Sequence, residues 1–400
     1  MVVILGKIME KICKKYGIRP VSNIGSIEDK VVIVRVDFNV PLDLNGRITD
    51  SFRVKNSIDT IYFLLERGAK VVLMSHLGDP KSVDEAMSFG SIIDQLEEAL
   101  GCKIQLSAGK ALDEIGKEFS QFTVERGVRQ VFLLDNIRCF PGEKSNDHAF
   151  VNEVIRQLKV DYYVNDAFSV CHRKHGSVVG IPSLVEESFA GLSLVTELDK
   201  LEGVIGDSFN SDKIVTAIIG GKKVETKLLL LKSLAKKVKN LVIVGGMANT
   251  FLKARGVDIG KSFYEPEMLD AALKIDNVIL PVDFVDQDGN ITCELTGDRA
   301  AYDIGPESLK LIDSIISKSD VVIWNGPAGV YEDERFVAGS NGIASSIAKH
   351  KVKSLVGGGD TVSVVNKLGV KVDHISTGGG AFISWLEDEN LPGINSLKRS

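Results

Sequence analysis

Glycines and arginines are the residues whose placement in this chain suggests chemistry. In the second half, glycines follow one short apolar run after another, at Gly220-Gly221, Gly245-Gly246, Gly326, Gly357-Gly358-Gly359 and Gly378-Gly379-Gly380. Glycine at the end of a buried strand lets the backbone approach a ligand closely, and a helix beginning there offers unpaired N–H groups to phosphate. A single pair is explained by a tight turn; five clusters in one half point to a nucleotide or phosphate site. Two standard fingerprints are missing. Gly256-Val-Asp-Ile-Gly260-Lys-Ser has three residues between its glycines where a Walker A loop has four, and reads as a loop. No Gly-x-Gly-x-x-Gly follows a strand.

The first half carries Arg35, Arg53, Arg138 and Arg173 at or beside strand ends and turns, with His76 among them. Singly, each reads as a solvated charge. Together they suit a small polyanion, because guanidinium grips phosphate and carboxylate through paired hydrogen bonds. In the second half, Lys223 and Lys227 stand four apart at the expected start of a helix, so both face one phosphate chain. Asp360 follows three glycines and is hard to explain as packing. Glu332, beside Asp333 and Glu334, looks in sequence like a surface charge. His172 and His175 flank Cys171 closely enough to suggest zinc, but no second Cys/His pair completes a tetrahedral set, and His172 reads as shaping the arginine pocket.

The elements that must position these residues follow from the apolar runs. Segments 31–36, 70–75, 131–134 and 162–164 in the first half, and 214–219, 241–244, 278–280, 321–324, 354–356 and 374–376 in the second, lack polar alternation. That is the pattern of parallel strands covered on both faces. Segments such as 53–67, 227–238 and 340–349 have helical spacing between them. The fold class is therefore α/β: two doubly wound, Rossmann-like parallel-sheet domains with a hinge and a central cleft. The first domain spans 1–184, a connecting helix 185–206, and the second domain 207–381, with 1–26 as an extension. Within that extension the Lys-rich 9–16 reads as an added amphipathic helix, with an early start codon or a transit peptide as alternatives.

Composition agrees. A chain of 400 residues is long enough for two or three domains, and 44% hydrophobic with 26% charged residues is a globular balance. A net charge of −6 argues against a nucleic-acid binder. Five scattered cysteines (Cys13, Cys102, Cys139, Cys171, Cys293) argue against a disulfide framework and for a reducing cytoplasm. No apolar run approaches the roughly 20 residues of a membrane helix, and the apolar start at 1–5 is too short for a signal-peptide core. Two other classes remain: a glycosyltransferase using a nucleotide sugar, which would want a base for a neutral hydroxyl, and a two-lobed binding protein without catalysis.

A family resemblance joins these features. Arg35-Val-Asp-Phe-Asn-Val-Pro41 and Ser75-His-Leu-Gly78 resemble the opening motifs of the phosphoglycerate kinases. The resemblance continues through Asn136-Ile-Arg138, Asn165-Asp-Ala-Phe168 with His172-Arg173, Gly220-Gly-Lys-Lys-Val224 and Gly245-Gly-Met-Ala-Asn-Thr-Phe251. It runs on through Trp324-Asn-Gly-Pro327, Gly357-Gly-Gly-Asp-Thr361 and Ser376-Thr-Gly-Gly-Gly380, in family order over about residues 27 to 394. It implies transfer of phosphate between 1,3-bisphosphoglycerate and ADP, giving 3-phosphoglycerate and ATP with Mg2+; a monomer is expected, with no nucleic-acid or membrane partner. By motif position it puts 3-phosphoglycerate on Asp37, Asn39, Arg53, His76, Arg138 and Arg173. It puts the nucleotide on Lys223, Lys227, Asn325, Glu332, Gly358, Gly359, Asp360 and Thr361, with Asp360 nearest the metal. It also implies that the last segment, 382–400, packs back on the first domain. The nucleophile is then a carboxylate, anionic already, and no general base is needed. Arg53, Lys223 and the helix N-termini at Gly379 and Thr361 are expected to serve the moving phosphoryl group after hinge closure.

The chain also departs from the family. Asp79 stands where His-Leu-Gly-Arg-Pro usually carries Arg, and Thr226 where Asp is usual. Ala301 replaces a glycine near the expected base pocket, and Ala381-Phe-Ile-Ser-Trp-Leu386 replaces the usual ending. An expected consequence is an ion pair of reversed polarity between Asp79 and Lys222.

Overall fold

The computed structural model describes residues 2–80, 85–124 and 127–398, with side chains from Met9 onward. It divides into two units, one comprising Met1–Asp199 with Asn390–Ser400 and the other Lys200–Glu389.

The first unit is built on six strands: β1 (Val31–Arg35), β2 (Lys70–Met74), β3 (Lys103–Leu106), β4 (Gln130–Leu133), β5 (Tyr162–Asn165) and β6 (Glu187–Ala190). All pairings are parallel and the order is β3-β4-β2-β1-β5-β6. Every residue of β1 is buried, as the unbroken run Val-Val-Ile-Val predicts for a strand covered on both faces. The sheet therefore delivers the carboxyl ends of β1, β2 and β5 side by side, and Asp37, His76 and Asp166 follow directly from them.

Two strands here carry weak sequence signals. β3 is an edge strand with no fully buried residue, and β6 is an edge strand of sequence Glu-Ser-Phe-Ala. The latter corrects the expectation of one helix over 185–206. The helix that occurs there is Leu192–Val204, and its start is held by buried Asp166, which accepts from the Ser193 and Leu194 N–H groups at 2.8 and 3.3 Å. The predicted helix 53–67 is likewise two pieces, Phe52–Asn56 and Ile58–Leu65, which meet at Ser57. At the amino end the predicted added helix is Val2–Tyr16, and Ile12, Cys13 and Tyr16 bury its face.

The second unit has a six-stranded parallel sheet of β7 (Val215–Ile219), β8 (Asn240–Ile243), β9 (Val278–Ile279), β13 (Val321–Asn325), β14 (Lys353–Gly357) and β15 (His374–Ser376). Its order is β15-β14-β13-β7-β8-β9. A small antiparallel sheet of β10 (Phe284–Asp286), β11 (Ile291–Thr292) and β12 (Ala301–Ile304) is inserted between β9 and β13. Its strands are too short to have a readable period. The core on one face of the large sheet centres on Trp324, Ile218, Val242 and Val356.

The final residues belong to two places. The helix Gly380–Glu387 stays with the second unit, where Phe382, Trp385 and Leu386 are buried and Lys237 donates to the Leu386 carbonyl at 2.9 Å. Only from Asn390 does the chain join the first unit, where Gly393 N–H donates to the Cys171 carbonyl at 2.8 Å and Ile394 is buried. This corrects the expectation that the returning segment begins at 382. Among the described residues, no helix is long and apolar enough to cross a membrane.

Candidate active site

In the first unit, the loops after β1 and β2 and the short helix Phe52–Asn56 bring Asp37, Asn39 and Arg53 of the predicted anion-binding residues into one bonded cluster. Asp37 is nearly buried, and its Oδ2 accepts from Arg53 Nη1 at 3.0 Å and from Ser169 Oγ at 2.6 Å. Arg53 also reaches the Asn39 carbonyl at 3.3 Å, and Asn39 Oδ1 accepts from the Gly78 N–H at 2.8 Å. Asp37, Asn39 and Arg53 thus hold one another in place. Ser169, which sequence reasoning missed, closes the set from the β5 side; a lone serine carries no signal in sequence.

His76 is buried beside them. Its Nδ1 lies 3.1 Å from Arg35 Nη2, and arginine can only donate, so Nδ1 is the acceptor and Nε2 carries the proton. Burial, with the charges of Arg35, Arg138 and Arg53, holds its pKa far below the ordinary histidine range. It is a neutral donor, not a base waiting for a proton. Arg35 is a structural residue and not an accessible substrate ligand: it is 1% exposed and also donates from Nε to Ser177 Oγ at 2.9 Å. Ser177 in turn donates to buried Glu143 at 2.6 Å. The Arg35 charge balances a buried carboxylate that burial pushes upward in pKa.

Arg138 and Arg173 differ sharply. The Arg138 side chain is 7% exposed and bonds to the Gly78 carbonyl and to Asp79 Oδ1, the latter at 2.9 Å. Arg173 is exposed and makes no side-chain hydrogen bond among the described residues. His172 is half-buried behind it, its Nδ1 unpartnered among the described residues; burial first and Arg173 second bring its pKa down to about 4. Asp79 takes its partners from its own unit, Arg138 and Lys144.

In the second unit, the carboxyl ends of β7, β13 and β14 meet through glycine. A Cβ on Gly326 would lie 2.3 Å from the Gly220 carbonyl oxygen, and its φ is +99°. Only glycine permits both the conformation and the approach. Asn325 ties β13 to β14 by donating from Nδ2 to the Gly357 carbonyl at 2.8 Å. Thr361 is fully buried, and its Oγ1 accepts from the Gly326 N–H at 2.7 Å. The side chains of Asn325 and Thr361 are therefore spent on shaping the strand ends, and what the helix Gly359–Leu368 offers a ligand there is the backbone N–H groups of Gly359 and Asp360. Gly379 caps the helix Gly380–Glu387 in the same way, with φ +51°.

The two lysines do not share a helix face. The helix begins only at Leu228, after a single turn at Glu225–Lys227, so Lys223 sits in the preceding loop and is exposed. Lys227 turns back beneath the strand ends, donating to the Gly220 and Asn325 carbonyls at 2.8 and 3.2 Å. Its burial brings its pKa down to about 8, against an upward pull from Asp360.

Beside these glycines lies a cavity of about 480 Å³. Its wall includes Gly221, Gly246, Phe263, Ala301, Glu332 and Asp360. Phe263 and Tyr331 were not singled out in sequence; Lys261 and Ser262 come from the loop that resembles a broken Walker A, and Ser262 Oγ accepts from the Ala301 N–H at 2.9 Å. Buried Asp303 lines the same cavity, with a carboxyl that burial raises to about 7. Asp360 is exposed at the rim, where its Oδ1 accepts from the Tyr331 hydroxyl at 2.9 Å. No group of three or more His, Cys, Asp or Glu residues could hold a metal among the described residues. A single rim carboxylate fits a cation that takes most of its ligands from phosphate oxygens and water.

The chain is similar to known proteins along nearly its whole length. The phosphoglycerate kinase family profile matches residues 21–389. A phosphoglycerate kinase from Prochlorococcus marinus (strain MIT 9515) is 39% identical over 398 residues, covering 94% of this chain and 97% of that protein. The cytosolic phosphoglycerate kinase of Triticum aestivum is 38% identical, covering 95% and 98%. The structure of phosphoglycerate kinase from Coxiella burnetii superposes with a TM-score of 0.79 at 32% identity, covering 95% of this chain and 98% of that one. The profile and both relatives span nearly the whole sequence, and the chain belongs to the phosphoglycerate kinase family.

Proposed function

We propose that the protein catalyses reversible in-line transfer of a phosphoryl group between ATP and the carboxylate of 3-phosphoglycerate, forming 1,3-bisphosphoglycerate and ADP. The observation that carries this reading is the cluster of Arg53, Arg138 and neutral His76, which suits a small polyanion and contains no group poised to take a proton. A carboxylate nucleophile is already anionic at neutral pH. The chain's task is then to position it and to offset charge on the transferring group.

In this mechanism Arg138, Arg173 and His76 Nε2–H hold the phosphate and carboxylate of 3-phosphoglycerate, with Arg53 directed at the transferring group. The nucleotide occupies the cavity of the second unit, with Glu332 accepting from its ribose hydroxyls. Its phosphates take the backbone N–H groups at the start of the helix Gly359–Leu368 and the Lys223 ammonium. Asp360 would hold magnesium, which when bound offsets phosphate charge facing the incoming carboxylate. A carboxylate oxygen forms the new bond to phosphorus while the bond to the ADP oxygen breaks; no proton moves. Because the two substrates belong to different units, transfer depends on closure that brings them together and excludes water. With its cysteines unpaired, the protein suits a reducing cytoplasm.

A coupled assay for 3-phosphoglycerate-dependent ADP formation from ATP tests the reading. Turnover that requires 3-phosphoglycerate and Mg2+ is expected; ADP formation indifferent to 3-phosphoglycerate would refute it.

A further inference from the structure

Asp79 is a carboxylate set inside an anion site. The Arg138 side chain is 7% exposed, whereas that of Asp79 is 69% exposed, so the acid comes from the solvent side to meet a nearly buried cation at 2.9 Å. The same Asp79 Oδ1 lies 3.2 Å from Lys144 Nζ. One oxygen is thus shared by two cations, as an oxygen of a bound phosphate or carboxylate would be. All side-chain hydrogen bonds of Arg138 among the described residues run through Nη1, to Gly78 and Asp79. Burial pulls the Arg138 pKa down, and Asp79 is the foremost charge pulling it up. For Asp79, partial desolvation works upward, yet Lys144, Arg138 and Arg173 together hold its pKa below the ordinary carboxylate value.

We propose that Asp79 is an intramolecular competitor for the substrate anion at Arg138, and so sets the affinity of this site for 3-phosphoglycerate. The identity of that anion rests on the function proposed above; the competition rests on the geometry alone. A buried guanidinium needs a counter-charge when no ligand is present, and an exposed aspartate supplies one that is cheap to displace. An incoming anion takes over Nη1 and Lys144 and releases Asp79 to water. The chain thereby gives up part of its attraction for the anion and gains a neutralised site when the anion is absent.

The test is titration calorimetry of the full chain with 3-phosphoglycerate and, separately, with inorganic phosphate. Asp79→Asn is expected to bind both anions about three- to tenfold more tightly than the unaltered protein, the range of a partly exposed pair. Asp94→Asn, which makes the same charge change at an exposed position of the same unit, is expected to leave both affinities unchanged. The gain should vanish when Arg138→Gln is added. Equal or weaker binding by Asp79→Asn overturns the proposal, and so does equal tightening by Asp94→Asn. If 3-phosphoglycerate binds none of the proteins while phosphate binds Asp79→Asn more tightly, the competitor stands and the substrate assignment fails.

Discussion

The two units frame their candidate anion sites with different materials. The first uses side chains: Asp37, Asn39, Arg53 and Ser169 are bonded to one another before any ligand arrives, and His76 is fixed in one tautomer by Arg35. The second uses backbone. Its strand ends approach through Gly220, Gly326 and Gly358, and the side chains of Asn325 and Thr361 serve to hold that backbone. A side-chain site loses function when a charge is removed. A backbone site loses function when a methyl group is added.

The sharpest way to break this contrast is Arg53→Ala. Removing one electrostatic donor from a transferring group costs about 3–4 kcal/mol of barrier, so turnover should fall by a few hundredfold while ADP affinity is kept. Loss of ADP binding with turnover retained would place Arg53 with the nucleotide instead. In the second unit the matching substitution is Gly326→Ala, which adds a Cβ 2.3 Å from a carbonyl oxygen at φ +99°. Strain of this kind costs about 1–3 kcal/mol, before the contact itself is relieved. Gly369→Ala is the control, since its φ is +62° but a Cβ there meets nothing within 4 Å. Equal losses of stability on denaturant unfolding would mean that close approach at Gly326 matters little.

Glu332→Ala should have a smaller effect, about 1 kcal/mol, as a higher KM for ATP with kcat nearly kept, because ribose contacts are made in ground and transition states alike. An unchanged KM would return Glu332 to a plain surface charge. The smallest effect is a fraction of a proton. Lys227, with a pKa of about 8, is partly neutral at pH 8.5. Phosphate nearby favours its charged form, so ADP binding at that pH should take up protons, read from calorimetry in buffers of different ionisation enthalpy. Lys227→Met should abolish the uptake. The sign for folding is the opposite of a gained ion pair: the lowered value means the unfolded chain binds more protons between pH 8 and 10.5, so Lys227 opposes folding below pH 8 and that cost is relieved as pH rises through the window.

The same contrast explains what could be read in advance. Buried parallel strands were legible because β1 and β13 carry unbroken apolar runs of four residues and β7 is interrupted only by Thr216, and glycine clusters mark the ends of strands in the second unit. β3 and β6 were not, because edge strands bury less and carry polar residues. Arg53, Asp37 and Asn39 were legible as types in a motif, but Arg35 looked the same in sequence and is a buried strut. Spacing misled at Lys223 and Lys227, because four residues apart means one face only if the helix has begun. Ser169 and Tyr331 make contacts that only the folded chain creates.

The first unit is discontinuous in sequence, and this dictates an order of events during synthesis. Residues 200–389 are all made before Asn390, Gly393 and Ile394 exist. The Cys171 carbonyl and the floor under Ile394 must therefore wait for a partner that emerges later than every strand of the second unit. A nascent chain can finish the large sheet of the second unit while the earlier-made unit still lacks its closing helix at Pro392–Asn395. The earlier-made of the two units is the last to be completed.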